Sequence, residues 1–129
     1  MSRREAARLA TELTELEFYR FKRYETPFSL AILCFESALP EGLEEALRRF
    51  VRRTDLIEEL THCSLLVIFG HTSRAEAALA MRHLDQEISK HGAAYHLGLT
   101  TAQNEDKTVQ DVIDRAIDEM DDAARCLEC

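Results

Sequence analysis

The sequence predicts an α+β domain: one antiparallel sheet laid out as βαββαβ, with an extra helix before it and another after it. Three observations carry that expectation. Phe28-Ser-Leu-Ala-Ile-Leu-Cys-Phe35 is a near-continuous apolar run of strand length. Leu56 to Leu60 and Leu65 to Phe69 are two β-rich runs separated by Thr61-His62-Cys63-Ser64, which is the pattern of a hairpin. The stretches between and around them have helical periodicity with start and stop signals.

Taken in order, Ala6, Leu9, Leu13 and Leu16 recur at helical spacing, so residues 3 to about 24 are expected to be a helix with those four on its buried side. Pro27 ends it, because the residue ahead of a proline is disfavoured in the α region. The run Phe28 to Phe35 lacks polar alternation, which places it as a central strand covered on both faces. Pro40-Glu41-Gly42 opens a second helix with Leu43, Leu47, Phe50 and Val51 on its apolar side, and Arg48, Arg49, Arg52 and Arg53 gather at its end. The hairpin follows. Ser73-Arg74-Ala75-Glu76 is a capping box, and Ala77, Met81, Leu84 and Ile88 make the buried stripe of the helix it starts. Gly92 sits where a left-handed C-cap belongs. Residues 93–100 alternate, with Tyr95, Leu97 and Leu99 on one face, and are expected to be a strand. Thr108 caps a last helix with the stripe Val109, Val112, Ile113, Ala116, Ile117 and Met120. The inner unit is the ferredoxin-like palm, a sheet with two helices on one face.

The 129 residues make one domain on ordinary expectations: residues 1–25 form the N-terminal helix and residues 26–125 the core. A hydrophobic content of 46% is enough for a real core. No apolar run approaches the roughly eighteen residues a membrane span needs, and nothing resembles a signal peptide, so a cytoplasmic location is expected. The net charge of −8 argues against non-specific nucleic-acid or anionic-membrane binding. The basic cluster 48–53 has two readings, cations at the negative end of a helix dipole or a site for a small anion. The four cysteines, Cys34, Cys63, Cys126 and Cys129, are expected to be free thiols in a cytosolic chain. Cys126-x-x-Cys129 is a terminal pair with no second pair to complete a zinc site.

Glu17-Phe-Tyr-Arg-Phe-Lys-Arg-Tyr-Glu-Thr-Pro-Phe-Ser-Leu30 resembles the opening of GGDEF domains, the diguanylate cyclases, where an arginine-rich helix, a tyrosine and a proline precede the first strand. Arg52-x-x-Asp55, followed by five residues and the hairpin turn, has the register of that family's inhibitory-site motif ahead of its signature turn. His96-Leu97-Gly98-Leu99-Thr100 is similar to its Ser-Ile-Gly-Val-Ala strand. The resemblance runs in order along almost the whole chain.

The resemblance implies a degenerate, shortened member. The signature Gly-Gly-Asp/Glu-Glu-Phe falls on Thr61-His62-Cys63-Ser64-Leu65, and the two metal carboxylates fall on Cys34 and Cys63. Thiols are poor ligands for magnesium, which wants hard oxygen donors in octahedral geometry. The segment between Cys34 and Arg52 is about a dozen residues shorter than in the family. The lost part is where the family keeps guanine-binding residues, and its phosphate-contacting lysine falls on Ala124. Cyclase activity is therefore not expected, and neither is a cofactor. Cys34 and Cys63 are expected to be neighbours beside His62, either as buried small hydrophobes or as a soft-metal or redox pair.

Two functions follow as expectations. In the family the inhibitory site uses its arginine and aspartate to hold cyclic di-GMP: a guanidinium forks onto guanine O6 and N7, and a carboxylate accepts from N1–H and N2–H. Arg52 and Asp55 would be those residues, with Arg82 or His83 near the register of a supporting arginine from the next helix and Arg49 as a further candidate contact. The alternative is a ligand-free module that keeps the fold for dimerisation or for docking a protein partner.

Overall fold

The structure, a computed structural model, describes residues 3–120. Its elements are α1 (Arg3–Tyr24), β1 (Phe28–Phe35), α2 (Leu43–Arg48), β2 (Asp55–Thr61), β3 (Ser64–Gly70), α3 (Arg74–Lys90), β4 (Tyr95–Thr101) and α4 (Val109–Asp118). The four strands form one antiparallel sheet in the order β2-β3-β1-β4, the ferredoxin-like order.

Every residue of β1 is buried, as expected of a strand without polar alternation. Because side chains alternate across a strand, β1 supplies both faces of the sheet. Leu30, Ile32 and Cys34 join Leu66 and Ile68 beneath residues of α1 and α4. Ala31, Leu33 and Phe35 join Leu65, Val67 and Phe69 beneath residues of α2 and α3. So α2 and α3 are the two helices expected on one face, and the terminal helices cover the other.

The cap signals of α3 are realised: Ser73 and Glu76 form a capping box, Ala77, Met81, Leu84 and Ile88 are buried, and Gly92 has φ +67° just past the helix. Thr108 caps α4 with Asp111 at the third helical position, and Val112, Ile113, Ala116 and Ile117 are buried.

Three expectations are corrected. First, α1 turns a different face inward. Ala6, Ala10, Thr14 and Phe18 are buried, Leu9 and Leu13 are only partly so, and Leu16 is 57% exposed. Small residues at every fourth position let α1 lie close to its neighbours, and the Thr14 hydroxyl is satisfied by donating to the Ala10 carbonyl at 2.7 Å.

Second, α2 ends at Arg48, so Phe50 does not continue its apolar face and is 54% exposed. Arg52 and Arg53 consequently lie in the connection to β2 and not on a helix. Third, Cys34 and Cys63 are not free thiols: each is disulfide-bonded. Cys126, Cys129, Ala124 and the last residues of the expected core lie outside the described residues.

Candidate functional site

The connection from α2 to β2 is pressed against the end of β3. A Cβ on Gly70 would sit 2.5 Å from the Thr54 carbonyl oxygen, so only glycine lets the two backbones approach this closely. That approach puts Arg52 over the β3–α3 junction. Its Nε and Nη2 donate to the two oxygens of Asp55, at 3.3 and 3.1 Å, and the Arg52 backbone N–H donates to the same carboxylate at 2.9 Å. Nη2 also donates to the Gly70 carbonyl at 2.8 Å and to the Thr72 hydroxyl. The Asp55 hydrogen bond, with the nearby charges of Asp55 and Glu76, raises the Arg52 pKa against a smaller opposing effect of burial.

The two partners differ in access. The Asp55 side chain is 4% exposed, whereas that of Arg52 is 56% exposed. Arg52 and Asp55 together line a cavity of about 300 Å³, walled by Phe50, Leu79 and Leu84 and reached by Glu76 and His83. That volume is at the lower end of what small-molecule sites offer, about 300–1,000 Å³. Phe50 and Leu79 are both more than half exposed at this site. Of the supporting residues expected from sequence, His83 lines the cavity, while Arg49 and Arg82 are exposed and are not part of its wall.

The hairpin turn is the other region singled out by sequence. The strands run to Thr61 and resume at Ser64, leaving His62-Cys63 as the turn. Cys34 pairs with Ser64 across β1 and β3, and the Phe35 N–H donates to the Cys63 carbonyl at 2.7 Å, so the structure brings the backbones at 34 and 63 together as expected. Little of this region faces solvent. Cys34, Thr61, Cys63 and Ser64 are buried, with the Thr61 and Ser64 hydroxyls 2.6 Å apart, and only His62 projects outward.

A second cavity, of about 420 Å³, opens beside His62 against Pro40, Glu44, Glu45 and Glu59. Among the described residues, no group of three or more His, Cys, Asp or Glu side chains is arranged to hold a metal ion. No helix among them is long and apolar enough to cross a membrane.

Sequence reasoning passed over one constellation, Arg115 with Asp106. Arg115 Nη1 and Nη2 grip the Asp106 carboxylate at 2.6 and 2.9 Å, and Nε and Nη2 reach the Thr100 hydroxyl and the Thr101 carbonyl at 2.7 and 2.8 Å. Asp106 also accepts from the Gln103 N–H at 2.8 Å. An aspartate a few residues ahead of a capped helix was the one available signal, and it does not name its partner.

No family profile matches the sequence, and no curated protein matches it by sequence. Solved structures do match the fold. The GGDEF domain of FimX from Pseudomonas aeruginosa superposes with a TM-score of 0.77 at 18% identity, over 88% of this chain and 85% of that one.

The fold is that of GGDEF domains.

The GGDEF domain of DgcB from Caulobacter crescentus, in complex with c-di-GMP, gives a TM-score of 0.67 at 12% identity over 81% of this chain and 76% of that one. The diguanylate cyclase SiaD in complex with its activator SiaC, from Pseudomonas aeruginosa, gives 0.72 at 16% identity over 92% of this chain and 54% of that one. The GGDEF-like domain therefore has neighbours crystallised with a nucleotide and with a protein.

Proposed function

We propose that this GGDEF-like domain is a degenerate, non-cyclising signalling module that binds cyclic di-GMP in the cavity beside Arg52. The observation that carries the reading is the meeting of Arg52, Asp55 and His83 at one cavity with an exposed aromatic and aliphatic rim. A guanidinium that is held in place by a buried carboxylate and still faces solvent is pre-organised for an anionic, planar ligand. The Phe50 ring offers a surface on which a base can stack. Absence of cyclase activity is part of the same proposal. The positions that would hold magnesium are the buried Cys34 and Cys63, and the nearby cavity carries Glu44, Glu45 and Glu59, whose charge opposes a triphosphate.

Calorimetric titration with cyclic di-GMP tests the binding, and incubation with GTP and magnesium or manganese tests the inactivity. Saturable binding with no cyclic product is expected. Synthesis of cyclic di-GMP by the pure domain would remove the reading.

A second reading, a docking module without a ligand, is favoured by the exposure of Phe50 and Leu79, both of which line the same cavity. It predicts no dinucleotide binding together with self-association or complex formation lost on Phe50→Asp.

A further inference from the structure

Resting on the cyclic di-GMP reading, the geometry points to Glu76, and not Asp55, as the carboxylate that reads the guanine edge in this cavity. Both Asp55 oxygens accept from Arg52: Oδ1 from Nη2 at 3.1 Å, and Oδ2 from the backbone N–H and Nε at 2.9 and 3.3 Å. With its side chain 4% exposed behind Arg52, Asp55 presents little of either oxygen to a base. Its role is to position the guanidinium. A site that discriminates guanine still needs an acceptor facing N1–H and N2–H.

Glu76 is the exposed carboxylate on the wall of the same cavity. It is held in the first turn of α3 by the capping box, in which Oε1 accepts the Ser73 N–H at 3.0 Å. That bond fixes the direction of the side chain and leaves Oε2 outside the box. Its charge is coupled to Arg52, one of several effects, after the Ser73 hydrogen bonds, that bear on its lowered pKa. Arg52, through Nη1, and Glu76, through Oε2, thus offer one base a donor and an acceptor from two different elements, the α2–β2 connection and α3. The usual arrangement would place both on one short motif.

The test is Glu76→Gln. Glutamine completes a capping box as glutamate does, so the fold is retained, which thermal unfolding verifies. With its oxygen kept in the box, the amide turns an NH2 donor outward where the carboxylate presents the acceptor Oε2. Titrated calorimetrically, the wild type should bind cyclic di-GMP more tightly than cyclic di-AMP. Glu76→Gln should lose about tenfold or more of its affinity for the guanine ligand and narrow the gap between the two.

Equal or tighter binding of cyclic di-GMP by Glu76→Gln overturns the assignment and leaves the receptor reading standing, since the carboxylate then merely repels phosphate. Failure of the wild type to bind any cyclic dinucleotide overturns the receptor reading and this assignment with it.

Discussion

Asp106 and Arg115 make the same fork-on-carboxylate contact as Asp55 and Arg52, and in both pairs the carboxylate is 4% exposed. Their surroundings separate them. All three guanidinium nitrogens of Arg115 are engaged, on Asp106, Thr100 and Thr101, and the side chain is 28% exposed. That pair closes the loop between β4 and α4 and faces inward from both ends. Arg52 uses Nε and Nη2 on Asp55, Gly70 and Thr72, and its Nη1 takes no part in these bonds while the side chain lies 56% exposed on a cavity wall. The same two residue types therefore do structural work in one place and present a pre-organised donor in the other. What distinguishes them is which guanidinium nitrogens the fold has already occupied.

The largest expected effect breaks the structural pair. Arg115→Ala leaves the buried Asp106 carboxylate with only the Gln103 N–H and should destabilise the domain by about 3 kcal/mol, measured by denaturant unfolding. Dinucleotide affinity should hardly change. A matching loss of affinity in a folded Arg115→Ala protein would show that the two pairs are not separate in role.

Next comes the exposed pair. Hydrogen bonds to charged groups contribute about 1.5–3 kcal/mol, so Arg52→Ala should weaken cyclic di-GMP binding by about ten- to a hundredfold. Arg53→Ala, whose side chain is exposed and lines no part of the cavity, serves as the control and should change affinity by less than about twofold. Equal losses from both would mean that the basic run acts as an unspecific anion patch.

A smaller effect should appear with acid. Burial pushes the Asp106 carboxyl up, but the hydrogen bonds from Arg115 and Gln103 outweigh it and hold the group below the usual carboxylate range. A folded value below the unfolded one gives a contribution that is present above the unfolded value of about 3.9 and is lost as pH falls through the folded value. Unfolding free energy measured down the acid limb should therefore fall less steeply in Asp106→Asn than in the wild type. A parallel acid limb would show that the pair does not couple to protonation.

The smallest effect concerns salt. Affinity for the doubly charged ligand should decline as ionic strength rises, because Arg52 is solvent-facing and screened. The stability contribution of the less exposed Arg115 pair should respond less. Comparable responses in titrations and unfolding curves at several salt concentrations would erase the distinction.

The capped helices were legible because their signals are local. Ser73 and Glu76 lie within one turn, and so do Thr108 and Asp111, while the stripes of α3 and α4 repeat at helical spacing. Arg52 and Asp55 were legible through the family resemblance, whose Arg-x-x-Asp motif spans only one short stretch of chain. The inward face of α1 was misread because alanine and threonine are weak hydrophobic markers, and close helix packing selects small residues as readily as large ones. The stop of α2 at Arg48 was missed because Phe50 and Val51 continue an apolar pattern that the backbone does not follow.

The sequence by itself determined the order of elements, the central place of β1 and the hairpin, since periodicity, capping and turn signals follow from neighbours along the chain, while the proximity of positions 34 and 63 was implied only by the family resemblance. Only the tertiary structure decided that Arg52 is braced by Gly70 and Thr72, that Asp55 is sealed behind it, and that Glu76 and His83 from α3 share its cavity. It likewise joined Asp106 to Arg115 across the start of α4. Such contacts depend on how closely separate elements approach, down to the missing Cβ of Gly70. That distance is set by the packing of the whole core and has no local pattern from which it can be read.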